Sequence, residues 1–251
     1  MLIEQTYQKL SDMKWHGFSA ALTEQIENDD YRELDFGERI GLLVDREWTE
    51  RKNRQLTRRL QQAKFREQAC IENIDYRQRS GLDRSLVQRL ATCKWVAEQH
   101  NIIITGPTGV GKTFVGCALA HKACREGYSA LYRRVPRLHD ELALARADGS
   151  LPRLFTRLAR IHVLVLDDWA LTPWDDQGRR DMLEVIEDRH GLRSTIVTSQ
   201  FPVDAWHKAI GEPSIADAIL DRLVHNSHRI TLKGPSGRSQ RSKINKEYSG
   251  K

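Results

Sequence analysis

Apolar residues recur at helical spacing at the start of the chain, where Leu2, Ile3, Leu10 and Met13 fall close to one face before Gly17 interrupts the pattern. Asp35 and Glu38 have the spacing of a variant capping box and mark the start of a third helix. That helix is predicted to run on through REWTERKNRQLTRRLQQAKFR, residues 46–66. A small α-helical N-terminal domain over residues 1–68 follows. The pattern then breaks: ENIDYRQRSGLDRS has turn residues and little periodicity, and reads as a linker over 69–84. From there short apolar runs alternate with helical patterns, and strands are predicted at 101–105, 129–133, 162–167, 194–199 and 228–232. Apolar runs without polar alternation suit strands covered on both faces. The class is therefore α/β, a parallel sheet flanked by helices over residues 85–233, with a basic, Ser- and Gly-rich, partly ordered tail over 234–251.

The first predicted strand runs straight into GPTGVGKT, residues 106–113, which has the complete phosphate-loop spacing. Gly106, Gly109 and Gly111, with Pro107, Thr108 and Val110 between them, let backbone N–H groups converge on phosphate oxygens. Lys112 is placed to reach the β- and γ-phosphates, and the Thr113 hydroxyl to ligate Mg²⁺. The chain is expected to bind a nucleoside triphosphate with Mg²⁺.

Three later strand and helix ends bear on what happens to that nucleotide. The apolar run IHVLVLDDW ends in Asp167 and Asp168. A carboxylate at the carboxyl end of such a strand can hold the metal, and its neighbour can orient or deprotonate water, so Asp167 is assigned to Mg²⁺ and Asp168 to the attacking water. STIVTSQF ends in Ser199 and Gln200, which either approach the γ-phosphate or simply close the strand in a polar turn. Arg222 lies on an amphipathic helix before the last strand; from the residues alone a solvated or salt-bridged side chain is favoured over a finger acting on a neighbouring subunit's nucleotide.

Charge is small in total but unevenly spread. Lys and Arg exceed Asp and Glu by six, and the acids crowd between Glu24 and Glu38. Arg51, Lys52, Arg54, Arg58, Arg59, Lys64 and Arg66 follow on the third helix, several at spacings that share a face. A DNA-backbone contact and a solvated helix face are equally good readings of that stripe. Arg133, Arg134 and Arg137, after the second strand, form another basic cluster. No base-reading motif accompanies them, so any DNA binding is expected to be to the double-stranded backbone with weak sequence preference. Cys70, Cys93, Cys117 and Cys124 form no CxxC pair, and the histidines no ligand set, so reduced buried thiols are expected. No apolar run approaches the roughly 18 residues of a membrane span, and MLIEQTYQKL has no signal-peptide pattern, so a cytoplasmic location is expected.

The order of phosphate loop, Asp167-Asp168, Ser199-Gln200 and Arg222 resembles that of the AAA+ ATPases. With RADGSLPRL, LVLDDWALTP, RKNRQLTRRLQQAKFR and the long stretch from Ser194 to Gly234, nearly the whole chain is similar to the IstB-like ATP-binding helpers of insertion sequences, relatives of the DnaC helicase loaders. The resemblance implies an AAA+ core with a helical N-terminal domain and no C-terminal lid. It implies ATP hydrolysis, ATP-dependent self-association into an oligomer on DNA, and delivery of target DNA to a partner transposase. It makes Arg222 a trans-acting finger and Arg238, in GPSGR, a candidate second sensor, although Ser-Gly-Arg stands where the family more often has Met-Arg. It also favours DNA as the partner of the basic stretches. A replicative helicase loader is the alternative; a small-molecule kinase fits less well, and a GTPase least, since NKEY lacks the Asp of a guanine-reading motif.

Overall fold

The computed structural model describes residues 2–76 and 81–234, and the chain divides into two compact units, Met1–Arg58 and Arg59–Lys251. Arg238 lies outside the described residues, as does most of the basic tail. In the first unit, α1 (Leu2–Asp12) and α2 (His16–Glu27) precede a 3-10 turn (Asp29–Glu33) and α3 (Phe36–Ala63), whose last residues belong to the second unit. The capping box forms: the Asp35 N–H donates to Glu38 Oε2 at 3.0 Å and the Glu38 N–H to Asp35 Oδ1 at 2.8 Å. Gly17 lies inside α2, where a Cβ would meet the Glu47 Cα of α3 at 2.9 Å. That close approach lets the Gly17 and Phe18 N–H groups, orphans of the first turn of α2, donate to the buried Glu47 Oε2 at 2.8 and 3.1 Å. Burial alone would raise the Glu47 carboxyl; Arg51 and these two N–H groups outweigh it and hold it below the ordinary range.

α3 stops at Ala63, short of the predicted residue 66, because Lys64 turns into the left-handed region with φ 52°. After α4 (Arg84–Ala91) and α5 (Lys94–Ala97) the second unit alternates β1 (Asn101–Thr105), α6 (Lys112–Arg125), β2 (Ala130–Arg134), α7 (Val135–Ala147), α8 (Leu151–Arg160) and β3 (Val163–Asp167). It continues with α9 (Asp176–Glu187), β4 (Ser194–Ser199), α10 (Trp206–Ile210), α11 (Pro213–Val224) and β5 (Ser227–Thr231). Each strand lies within a residue of its predicted place. The five form one sheet in the order β2-β3-β4-β1-β5, every neighbour parallel.

Both faces of the sheet are covered, which is why β1, β3 and β4 carry almost no exposed residue. On one face α6 packs so closely that a Cβ at Gly116 would touch Thr198, Ile196 and Ile104. On the other, Ile103, Leu131, Leu164, Leu166 and Val197 join the buried residues of α7, α8, α9 and α11 and the indoles of Trp169, Trp174 and Trp206 in one core. Each fully buried Ile, Leu or Val there contributes about 1.5–3 kcal/mol. Arg189, fully buried just past α9, ties this layer together: its guanidinium donates to the carbonyls of Leu158, Ile161 and Ser194 and to the Thr195 hydroxyl. Burial depresses its pKa to about 9. Among the described residues no helix is long and apolar enough to cross a membrane.

Candidate functional site

Because all five strands are parallel, their carboxyl ends share one edge, and the register there brings Thr105 beside Ser199 and Arg134 beside Asp167. The phosphate loop leaves β1 at this edge and enters α6 at Lys112. Gly106, Gly109 and Gly111 all have positive φ, at 147°, 85° and 95°, so the loop follows a path that side-chain-bearing residues resist. At Gly106 a Cβ would lie 2.3 Å from the Leu232 carbonyl oxygen just past β5. Lys112 is buried and folds back over its own loop, its Nζ donating to the carbonyls of Gly106 at 2.7 Å and Pro107 at 2.8 Å. The ammonium thus already lies against its own loop, a position from which it can draw an anionic oxygen.

Asp167 ends β3 with only 1% of its surface exposed. Its Oδ1 accepts from Thr113 Oγ1 at 2.8 Å and from the Thr198 hydroxyl, while Oδ2 accepts from the Tyr132 hydroxyl at 2.6 Å and has Arg66 Nη1 at 3.8 Å. Burial, then the hydrogen bond to Asp167, pushes the Tyr132 phenol well above its ordinary pKa, so it remains a donor. Thr113 and Asp167 present two hard oxygens side by side. That arrangement fits a small cation that keeps most of its waters, and among the described residues no cluster of three or more His, Cys, Asp or Glu offers a cage of its own.

Asp168 follows with φ 59°, a left-handed conformation costing roughly 1–2 kcal/mol for an L residue. The turn aims its carboxylate at Arg134, whose Nε donates to Oδ2 at 2.8 Å. Gln200, just past β4, accepts at Oε1 from the Thr108 hydroxyl of the phosphate loop at 2.5 Å. Ser199 does not join it: its hydroxyl is fully buried, donating to the Trp169 carbonyl and accepting from the Phe201 N–H. Thr198, one residue earlier, bonds the Asp167 carboxylate instead. Side chains alternate across a strand, and Ile196 and Thr198 face α6, which carries Thr113. Parity against α6 was the available signal for Thr198; Tyr132 had only its polar tip in an apolar strand.

Arg222 is ion-paired with Glu187 and donates to the Ala218 carbonyl at 2.9 Å. Its own carbonyl accepts from the Asn101 amide at the start of β1, the end of the strand opposite the phosphate loop. The basic residues are placed more diversely than their spacing implied. Arg51 and Arg54 bond Glu47, and Arg54 also reaches Glu50. Lys52 lies 3.7 Å above the Trp48 ring, and Arg59 donates to the Gly127 carbonyl. Arg58 is exposed without an ion pair among the described residues. Arg133 is buried, held by Glu141 at 2.9 Å and the Tyr132 carbonyl, which leaves it little surface to offer DNA. Lys64, Arg66, Arg134 and Arg137, from two separate sequence clusters, line one cavity.

The model of the IstB-like ATP binding proteins matches residues 8–245. The insertion sequence ATP-binding protein y4pL of Sinorhizobium fredii is 52% identical over 97% of this chain and 100% of its own length. Among solved structures, AMPPCP-bound DnaA from Aquifex aeolicus superposes with a TM-score of 0.58 at 16% identity, over 73% of this chain and 56% of that one. The DnaC helicase loader gives 0.53 at 19% identity, over 66% and 97%. With its phosphate loop, strand-end aspartates and five-stranded parallel sheet, the chain belongs to the IstB-like ATP-binding proteins of insertion sequences and has the AAA+ fold of DnaC and DnaA.

Proposed function

We propose that the chain hydrolyses ATP, assembles with copies of itself on double-stranded DNA, and delivers target DNA to the transposase of its insertion sequence. The observation that carries this reading is the convergence of Lys112, Thr113, Asp167, Asp168 and Gln200 at one sheet edge. Lys112 exchanges its loop carbonyls for the β- and γ-phosphates. Thr113 and Asp167 hold Mg²⁺, which when bound with ATP supplies neutralisation of the phosphate oxygens. Asp168 accepts a proton from the attacking water, and Gln200 orients that water through its amide. The insertion-sequence relatives favour transposition over helicase loading.

Arg222 acts across a subunit boundary. β1 spans five residues, about 16 Å at 3.3 Å each, and Arg222 is anchored at the far end from the loop, so its own nucleotide is out of reach. The exposed basic residues of α3 and, at the β2–α7 junction, Arg134 and Arg137 contact the DNA backbone.

The test separates binding from turnover. Lys112→Ala is expected to lose ATP binding, measured with a fluorescent ATP analogue, and with it every ATP-dependent assembly seen by electron microscopy on DNA. Asp168→Asn is expected to bind ATP and remain assembled while turnover falls by about 10²-fold or more, the size of a general-base contribution. Near-normal turnover by Asp168→Asn removes that residue from its role.

A further inference from the structure

α3 buries one row of side chains and leaves the next bare. Arg39, Leu43 and Glu47, at four-residue spacing, form the inner row. Leu43 is buried, the Arg39 carbonyl accepts from Gln25 of α2 at 2.9 Å, and Glu47 accepts from the Gly17 and Phe18 N–H groups. One position further on, Phe36, Ile40, Val44 and Trp48 form a second row, and they are 80, 38, 51 and 58% exposed. The row beyond that begins with Gly37 and Gly41, both exposed, and a Cβ at Gly41 would meet nothing within 4 Å. A ridge of large apolar side chains beside a groove floored by glycines is the relief by which one helix packs into another. Apolar patches left in water mark interaction surfaces.

Charge along the helix says what fits there. Residues 29–38 hold five carboxylates and one arginine, whereas Arg46, Arg51, Lys52 and Arg54 follow with only Glu47 and Glu50 among them. Glu33 and Lys52 are exposed and neither is in an ion pair among the described residues; Lys52 lies over the Trp48 ring. A segment acidic at one end and basic at the other attracts a second copy of itself laid antiparallel and repels one laid parallel. We infer that the exposed face of α3 pairs two copies of this chain, antiparallel, about a two-fold axis between Leu42 and Leu43. In that arrangement Trp48 of each copy lies over Gly37 of the other and Val44 over Gly41, so large side chains fill what the glycines leave open. Glu33 of one copy approaches Lys52 of the other, twice by symmetry. Arg54 and Arg58 lie past the overlap and stay open to DNA. This deepens the self-association proposed above and rests on it for its use, while the contact itself lies outside the nucleotide site and needs no ATP. Two such faces make an interface at the small end of the range, so pairing is expected at micromolar concentration.

The experiment is sedimentation of the full chain without nucleotide over a micromolar concentration series. The parent is expected to pass from monomer to dimer, and Lys112→Ala to do the same. Gly41→Leu puts a side chain into open space in the single chain and a better helix former into a helix. Its helix content by circular dichroism is expected to match or exceed the parent's, while the dimer Kd rises about tenfold or more from the blocked approach. Glu33→Lys is expected to weaken pairing severalfold, and the double variant Glu33→Lys/Lys52→Glu to recover it. Recovery requires that opposite ends meet, because a parallel pair sets like beside like in every one of these chains. A parent that stays monomeric without ATP, or a Gly41→Leu chain that dimerises as the parent does, overturns the inference. A double variant no tighter than Glu33→Lys overturns the antiparallel arrangement. The two readings fail separately: a parent that dimerises but shows no assembly on DNA with ATP by electron microscopy defeats the functional reading and leaves this contact standing.

Discussion

Replacing Gly106 by Ala tests whether the phosphate loop is held open by the last strand. The new methyl would lie 2.3 Å from the Leu232 carbonyl oxygen, 3.1 Å from its carbon and 3.3 Å from its Cβ. Non-bonded heavy atoms come to rest at roughly 3.5 Å, so a displacement of about 1 Å is needed. Leu232 cannot give way cheaply. Its side chain is fully buried, and its N–H donates to the Thr105 carbonyl at 2.8 Å, extending the β1–β5 pairing. A φ of 147° adds backbone strain of roughly 1–3 kcal/mol for a residue with a Cβ. Breaking the strand-end hydrogen bond and unburying part of Leu232 costs about 1–2 kcal/mol more. The sum, about 2–5 kcal/mol, is a large part of a typical stability of roughly 5–15 kcal/mol. Gly127→Ala is the control: its φ is 99° and a Cβ there meets nothing within 4 Å, so only the strain of roughly 1–3 kcal/mol applies. Urea unfolding of the two variants should separate them by about 1–2 kcal/mol or more, the cost assigned above to the strand end, with ATP affinity lost only for Gly106→Ala. Equal midpoints would refute the clash and with it the coupling of the loop to the strand that follows α11.

Burial pushes the thiols of Cys93 and Cys124 up to about 11 and that of Cys117 to about 12. An aromatic disulfide reagent at pH 8 should therefore find Cys70 alone in the folded chain and all four after unfolding; rapid reaction of Cys117 in the folded state would contradict this. The same shifts set a sign. The unfolded thiols ionise first, near 9, so this share of stability is full below pH 9 and is lost as pH rises through 11 to 12, and thermal melts should show it. Inactive Arg222→Ala and inactive Lys112→Ala proteins should regain hydrolysis when mixed, because mixed interfaces pair an intact loop with an intact finger; no recovery despite co-assembly would return Arg222 to its ion pair with Glu187.

The strands were legible because parallel strands covered on both faces leave uninterrupted apolar runs, and 101–105 and 163–167 have almost nothing else. The phosphate loop was legible because glycine spacing, Lys and Thr are set by local geometry. Legibility ended where two distant segments meet. Nothing in ALYRR announces that Tyr132 will donate to Asp167, or that Arg134 will face Asp168. The contact of Thr198 with Asp167 was not legible because the sequence shows that β4 alternates without showing which parity faces α6. The basic run on α3 read as one stripe, yet Glu47 and Glu50 bind Arg51 and Arg54. The end of α3 was placed too late because Lys64, an ordinary helix former, takes a left-handed turn.

The strand order has a consequence for how the protein is made. β1 carries the phosphate loop, and its Ile102 pairs with Ile196 on one side and His228 on the other. Both neighbours are about a hundred residues further along, the kind of non-local pairing that forms late. At roughly 5–20 residues per second, β1 leaves the ribosome some 6–25 s before β5. Until β4 follows, it has no neighbour of its own, while β2 and β3 can already pair. A chain that ends early, anywhere before Ser227, keeps one side of β1 bare and its loop without a wall. Such fragments are expected to stick to one another by their open edges and to ignore ATP, so a nascent copy holds no nucleotide until almost all of it has been translated.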